Sequence, residues 1–137
     1  MDCKLSIRTV GNIFEISSRT LAVDLTPPAL VRVAAGELLA SVGAELTALM
    51  GDWVSVAVIG PEALLPALGD VVPLSEGVSL LDPLGAKGLE FDAVIVVEPA
   101  AIFAEVNGAR LLYVAMTRAV QELSLVHSEP LPAVLVA

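Results

Sequence analysis

Two alternating apolar textures constrain this chain more than anything else in it. Short runs, mostly rich in valine or isoleucine, occur at residues 54–59, 78–81, 93–97 and 123–126. Each is too short for a helix, and continuous apolar character predicts strands buried on both faces, as in a parallel sheet covered by helices. Between and around them, residues 13–22, 36–50, 61–68 and 110–120 carry apolar residues at helical spacing. Leu38, Leu39, Val42, Leu46 and Leu49 form a core-facing stripe on the second of these. Gly36, Pro61 and Gly108 punctuate the boundaries, and Thr26-Pro27-Pro28 forces an extended passage. The pattern predicts an α/β fold, doubly wound, with a mostly parallel sheet and helices on both faces.

The 137 residues suffice for one ordinary domain with a real core, so residues 1–137 are read as a single unit. Although 56% of the residues are hydrophobic, the longest uncharged stretch, residues 53–61, is nine residues long. A membrane-spanning helix needs about 20. No signal-peptide pattern opens the sequence, and the single cysteine, Cys3, has no partner for an internal disulfide, so a cytoplasmic setting is expected. The net charge of −9 comes from 16 scattered acidic residues against seven basic ones. Nucleic-acid affinity rests on Lys and Arg neutralising phosphates, so strong binding of nucleic acid by this chain alone is not expected.

Chemistry concentrates in two segments. Ala86-Lys87-Gly88-Leu89-Glu90-Phe91-Asp92 directly precedes the most apolar strand, and Leu112-Tyr113-Val114-Ala115-Met116-Thr117-Arg118-Ala119 lies in the helix that follows it. A Lys-Gly pair in a loop can bring a backbone N–H and a cation to a phosphate, and Glu90 can accept from a ribose hydroxyl. Equally, the segment reads as a charged turn in which Gly88 supplies a positive φ. There is no G-x-x-x-x-G-K-[ST] phosphate loop. Asp82 and Asp92 read as strand-end acids rather than a metal pair, and His127 has no cysteine or second histidine to complete a zinc set. Trp53 and Tyr113 read as core or interface aromatics.

The first of these segments resembles motif V of the superfamily 1 helicases UvrD, Rep and PcrA, and Tyr113 to Ala119 resembles their motif VI, in the family's order and separation. Leu5-Ser6-Ile7-Arg8-Thr9 resembles a degraded motif IV, so the likeness spans nearly the whole chain. Val96-Val97-Glu98-Pro99, which continues the strand, and the closing Val126-His127-Ser128-Glu129-Pro130-Leu131-Pro132 resemble actinobacterial HelD, a helicase-like ATPase that acts on RNA polymerase.

The resemblance implies the second RecA-like domain of a P-loop NTPase, without its own Walker A loop and cut from a longer ATPase. ATP and magnesium would be held mainly by the first RecA-like domain, the implied partner, and DNA or RNA polymerase would be met through the parent protein. Arg118 would be the catalytic arginine reaching the γ-phosphate, a role suited to a planar and permanently charged fork. Arg8 would be a second phosphate contact, Glu90 the ribose acceptor, and Gly88 the point of close backbone approach. Gly88 and Arg118 are expected together at one sheet edge, outside the carboxyl ends of the strands where ligand loops of α/β sheets gather.

The departures are Ile7, where the family has an adenine-stacking tyrosine, and Leu84-Gly85, where it has a polar pair that couples DNA to nucleotide. They favour an ATPase working on a protein partner. Two other readings stand beside it: an interaction module with vestigial ATP contacts, and a truncated helicase gene.

Overall fold

Valine and isoleucine fill the strands on both faces because helices cover both. In a computed structural model, residues 6–9, 12–15, 29–73 and 75–132 are described. β1 (Ser6–Thr9) and β2 (Asn12–Glu15) pair antiparallel as a separate two-stranded sheet. The main sheet contains β3 (Ala29–Arg32), β4 (Val56–Ile59), β5 (Val78–Leu81), β6 (Phe91–Val97) and β7 (Ala119–His127). Its spatial order is β3-β7-β6-β4-β5, and every pairing is parallel.

Strand alternation divides the core into two layers. Val56 and Val58 of β4, with Ala93, Ile95 and Val97 of β6, pack beneath α1 (Leu38–Met50) and α2 (Leu65–Leu68). Ala57, Ile59, Val94 and Val96 face the other way, beneath α3 (Pro99–Phe103) and α4 (Gly108–Met116). All of these strand residues are fully buried, each worth about 1.5–3 kcal/mol for a valine- or isoleucine-sized side chain. Of the α1 stripe, Leu38, Val42, Leu46 and Leu49 are buried and Leu39 packs at the margin.

The departures from the sequence reading have local causes. Residues 13–15 belong to β2, with Ile13 opposite Arg8, rather than to a helix; residues 16–22 lie outside the described part. The helix read over 61–68 is divided into a 3₁₀ turn, Glu62–Leu64, and α2, because Pro66 has no N–H to continue a ladder from residue 62. The segment read as a helix to residue 120 leaves the helix at Met116 and enters β7 at Ala119. β3 and α3 are elements that the sequence reading did not include: β3 directly follows Pro27-Pro28, read only as an extended passage, and α3 is a five-residue helix begun by Pro99. Gly108 marks more than a boundary: a Cβ there would lie 1.9 Å from the Phe103 carbonyl oxygen, so α4 can start this close to α3 only on a glycine. Among the described residues no helix is long and apolar enough to cross a membrane.

Candidate functional site

Each parallel pair requires the chain to return to the starting edge, and two such returns carry the residues singled out by sequence. The first joins β5 to β6 past β4, which lies between them. Leu81 and Val96 both pair with Ile59, so residues 82–90 must descend from the level of Val96 to that of Phe91, about 16 Å at the rise of a strand. They do so as stacked turns, with N–H donations from Ala86 to the Asp82 oxygen, from Lys87 to that of Leu84 and from Leu89 to that of Ala86. Ala86 is fully buried among the α4-side core residues, and its small side chain lets the loop lie against the sheet. Gly88 then turns the chain with φ +84°, the left-handed region that glycine enters freely.

The second return is α4. It delivers Thr117 and Arg118 to the start of β7, where Ala119 pairs with Phe91 and the Phe91 N–H donates to the Arg118 carbonyl at 3.0 Å. Gly88, Leu89, Glu90, Thr117 and Arg118 therefore meet at one edge, as the sequence led us to expect. That edge is the amino-terminal end of β6 and β7, not the carboxyl end. The correction follows from the path: both segments are the descending halves of crossovers, whereas the carboxyl-edge rule concerns residues that leave a strand.

Arg118 is half-buried and tied on three sides. Its Nε donates to the Val114 carbonyl at 3.1 Å, Nη1 to the Leu89 carbonyl at 3.2 Å and Nη2 to Thr117 Oγ1 at 3.2 Å. A guanidinium has five N–H groups, so one on each terminal nitrogen remains beyond these contacts. The Leu89 bond joins the two segments directly. Glu90, Lys87 and Gly88 are exposed beside it, and a Cβ built at Gly88 would meet nothing within 4 Å.

Arg8 lies in β1, opposite Ile13, in a ribbon that among the described residues shares no ladder with the main sheet; its side chain is outside the described part. Cys3 and Leu5 are likewise outside it. The strand-end acids have structural partners. Asp82 Oδ1 accepts from the Gly85 N–H at 2.8 Å, while Asp92 Oδ2 accepts from Val54 and Ser55 and the Asp92 N–H donates to Ser55 Oγ. His127 is buried with Nδ1 2.7 Å from the Glu129 carbonyl. Trp53 packs at the edge of the α1-side core and donates to Glu122 Oε1 at 2.8 Å, whereas Tyr113 and Leu84 are exposed. Among the described residues no three His, Cys, Asp or Glu side chains are grouped so as to hold a metal ion.

Two residues escaped the sequence reading. Thr117 contacts the guanidinium, and nothing in its position at a helix end distinguishes such a hydroxyl from an ordinary cap. Glu98 is buried at the carboxyl end of β6 with φ 51° and ψ 67°. Its carboxylate accepts from the Ser128 N–H at 3.0 Å, the Glu129 N–H at 3.2 Å and the Ser128 hydroxyl. A residue before proline is normally extended, so the sequence pointed away from this conformation.

Residues 85–126 match the family model described as the UvrD-like helicase C-terminal domain. Among solved structures, the chain is similar to the C-terminal domain of a possible DNA helicase from a Lactobacillus, strain WCFS1, at 30% identity and a TM-score of 0.65. That likeness covers 82% of this chain and 79% of the other. No curated protein matches.

Proposed function

The chain belongs to the UvrD-like helicase C-terminal domains, with their RecA-like fold, and from that premise we propose that its amino-terminal sheet edge is one wall of an ATP site completed by a first RecA-like domain. The observation that carries the reading is Arg118. Its fork is held against the Leu89 carbonyl at the same edge as Gly88 and Glu90, with one N–H on each terminal nitrogen beyond its contacts among the described residues.

The residues present suit a nucleotide. Arg118 offers a permanent positive charge and a bidentate pair of donors, the geometry that phosphate oxygens accept best. Gly88 keeps side-chain bulk away from the backbone, and the exposed Glu90 carboxylate can accept from a ribose hydroxyl. Arg8 is retained as a second phosphate contact on motif position alone. ATP and magnesium are assigned mainly to the first domain, since this chain has no phosphate loop. The chemistry left to Arg118 is to balance the charge that develops on the transferred phosphoryl group, a task typically worth about 10³ to 10⁵ in rate for an arginine finger.

In this reading the parent is a helicase-like ATPase of the cytoplasm that acts on DNA or, as in HelD, on RNA polymerase. The exposed Leu84, where the related helicases carry part of a polar pair, together with the net charge of −9, favours the protein partner. It also keeps alive the reading of an interaction module with vestigial ATP contacts.

The test is turnover in a protein containing both RecA-like domains. Arg118→Ala is expected to lower kcat at least about a hundredfold while the KM for ATP changes by less than about threefold, since the contact strengthens in the transition state. Arg118→Lys should rescue little, because an ammonium lacks the fork. Turnover by Arg118→Ala within about threefold of the parent, under ~0.7 kcal/mol of barrier, would make the arginine structural and favour the interaction module.

A further inference from the structure

We propose that Thr117 is the positioning residue of the Arg118 finger. The inference rests on the ATP-site reading of this edge for its catalytic consequence, but on geometry alone for its structural content.

Of the three groups that hold the guanidinium, two are backbone carbonyls that side-chain substitution does not remove, those of Val114 and Leu89. The third is the Thr117 hydroxyl, the only side chain that Arg118 touches by a hydrogen bond among the described residues. Its orientation is fixed from behind. Thr117 Oγ1 lies 2.8 Å from the Tyr113 carbonyl and 3.1 Å from that of Val114, so its one proton is committed to the end of α4. The oxygen lone pairs are thereby turned outward to accept from Nη2.

The Nε and Nη1 bonds already place the planar fork on α4 and on the loop before β6. What the Thr117 oxygen adds is an acceptor on Nη2, so that rotation about the Nε–Cζ bond must break a hydrogen bond at each terminal nitrogen. The plane of the fork is then set by two elements that also pair at the start of their strands, through Phe91 and Ala119. A fork fixed in this way meets phosphate oxygens without first losing rotational freedom, the kind of preorganisation on which electrostatic stabilisation of a transition state depends. A helix-capping threonine with no further role would also bond to Tyr113 and Val114. It would not need its oxygen to face Nη2.

Two variants separate these roles. Thr117→Val keeps the shape and removes the hydroxyl, and Thr117→Ser keeps the hydroxyl. The first measurement uses the chain itself: nitrogen-detected NMR of the arginine side chains, with the Arg118 signals assigned by their loss in Arg118→Lys. Distinct Nη1 and Nη2 signals are expected for the wild type and Thr117→Ser, and a single signal averaged by rotation about the Nε–Cζ bond for Thr117→Val.

The second measurement is turnover in the protein with both RecA-like domains. Thr117→Val should lower kcat at least about tenfold with KM for ATP within about twofold, and Thr117→Ser should stay within about threefold of the parent. Thermal melting of each variant, compared over the same range, shows whether the fold is retained. Separate Nη signals in folded Thr117→Val would overturn the proposal. So would unchanged turnover in Thr117→Val when Arg118→Ala is inactive. Unchanged turnover in Arg118→Ala defeats instead the ATP-site reading, and the NMR result then still decides whether Thr117 orients the fork.

Discussion

Gly88 and Gly36 offer a test in which the same methyl group is added to open space twice and the two outcomes should have opposite sign. A Cβ at either position would meet nothing within 4 Å, so neither substitution is limited by packing. They differ in the backbone. Gly88 has φ +84°, whereas Gly36, in the 3₁₀ turn before α1, is outside the positive-φ region. Placing an L-residue in the left-handed region costs about 1–2 kcal/mol. Gly→Ala where the conformation is permitted instead stabilises by about 0.4–1 kcal/mol, because the unfolded chain has less freedom to lose. The unfolded-chain gain is common to both variants, so Gly88→Ala and Gly36→Ala should differ by about 1–2 kcal/mol, the cost of the left-handed backbone.

Urea unfolding followed by fluorescence is a suitable assay, because the chain has one tryptophan and Trp53 is partly buried against the α1-side core. The midpoints should move in opposite directions while the slopes stay equal, the mark of a change in stability rather than in compactness. Gly88→Asn should recover part of the loss, since asparagine tolerates this region better than alanine does. Equal stability of Gly88→Ala and wild type would refute the argument that conformation alone requires a glycine at this turn.

Three further outcomes follow from the same geometry. The isolated chain should hydrolyse no ATP and bind a non-hydrolysable analogue more weakly than about 1 mM by calorimetry, because the phosphate loop that supplies most affinity is not in its sequence; micromolar binding would reveal a complete site. Gly108→Ala should destabilise by at least about 2 kcal/mol in the same urea assay, because its Cβ would sit 1.9 Å from a backbone oxygen that cannot swing away. Ser124→Ala should cost about 1.5–3 kcal/mol, since the buried Ser124 hydroxyl donates to Glu45 Oε2 at 2.6 Å and links β7 to α1; a loss under about 0.5 kcal/mol would mean that water replaces it without penalty.

The sequence was most legible where burial acts on both faces of a strand. Residues 93–97 are apolar without interruption because each faces a helix layer, and they lie within β6 as read. It was least legible at the beginning of β7. There two polar residues interrupt the apolar pattern: Gln121 is exposed, and Glu122 accepts from the Trp53 indole N–H at 2.8 Å. That polarity made the segment look like the end of a helix. Of the candidate site, Gly88, Glu90 and Arg118 could be proposed from the sequence because motif resemblance needs only residue type and spacing. Which edge they occupy could not, since it depends on the direction in which each crossover runs. The contacts of Thr117 and Glu98 were not legible for another reason: they are made with Arg118 and with residues 128–129, which side-chain type does not announce.

The two ends of the central strands differ in build, and in the proposed ATP site the difference accounts for a domain that takes part without a phosphate loop. At the carboxyl end of β6 and β7 the chain seals itself. Glu98 turns inward in a left-handed conformation and satisfies residues 128–129 with its own carboxylate, which leaves the usual ligand position of an α/β sheet filled by protein. At the amino end, the two descending crossovers leave exposed groups, among them Gly88 and Glu90, and donors on Arg118 that no described residue takes up. A sheet that binds a nucleotide at its own carboxyl edge grips phosphate with the backbone N–H groups of a phosphate loop; a sheet that offers its amino edge contributes side chains and short stretches of backbone carried down by crossovers. In the proposed site the two kinds of edge face each other. The division assigns affinity to the first domain and charge compensation to Arg118, so substitutions at the amino edge should register in turnover before they register in binding.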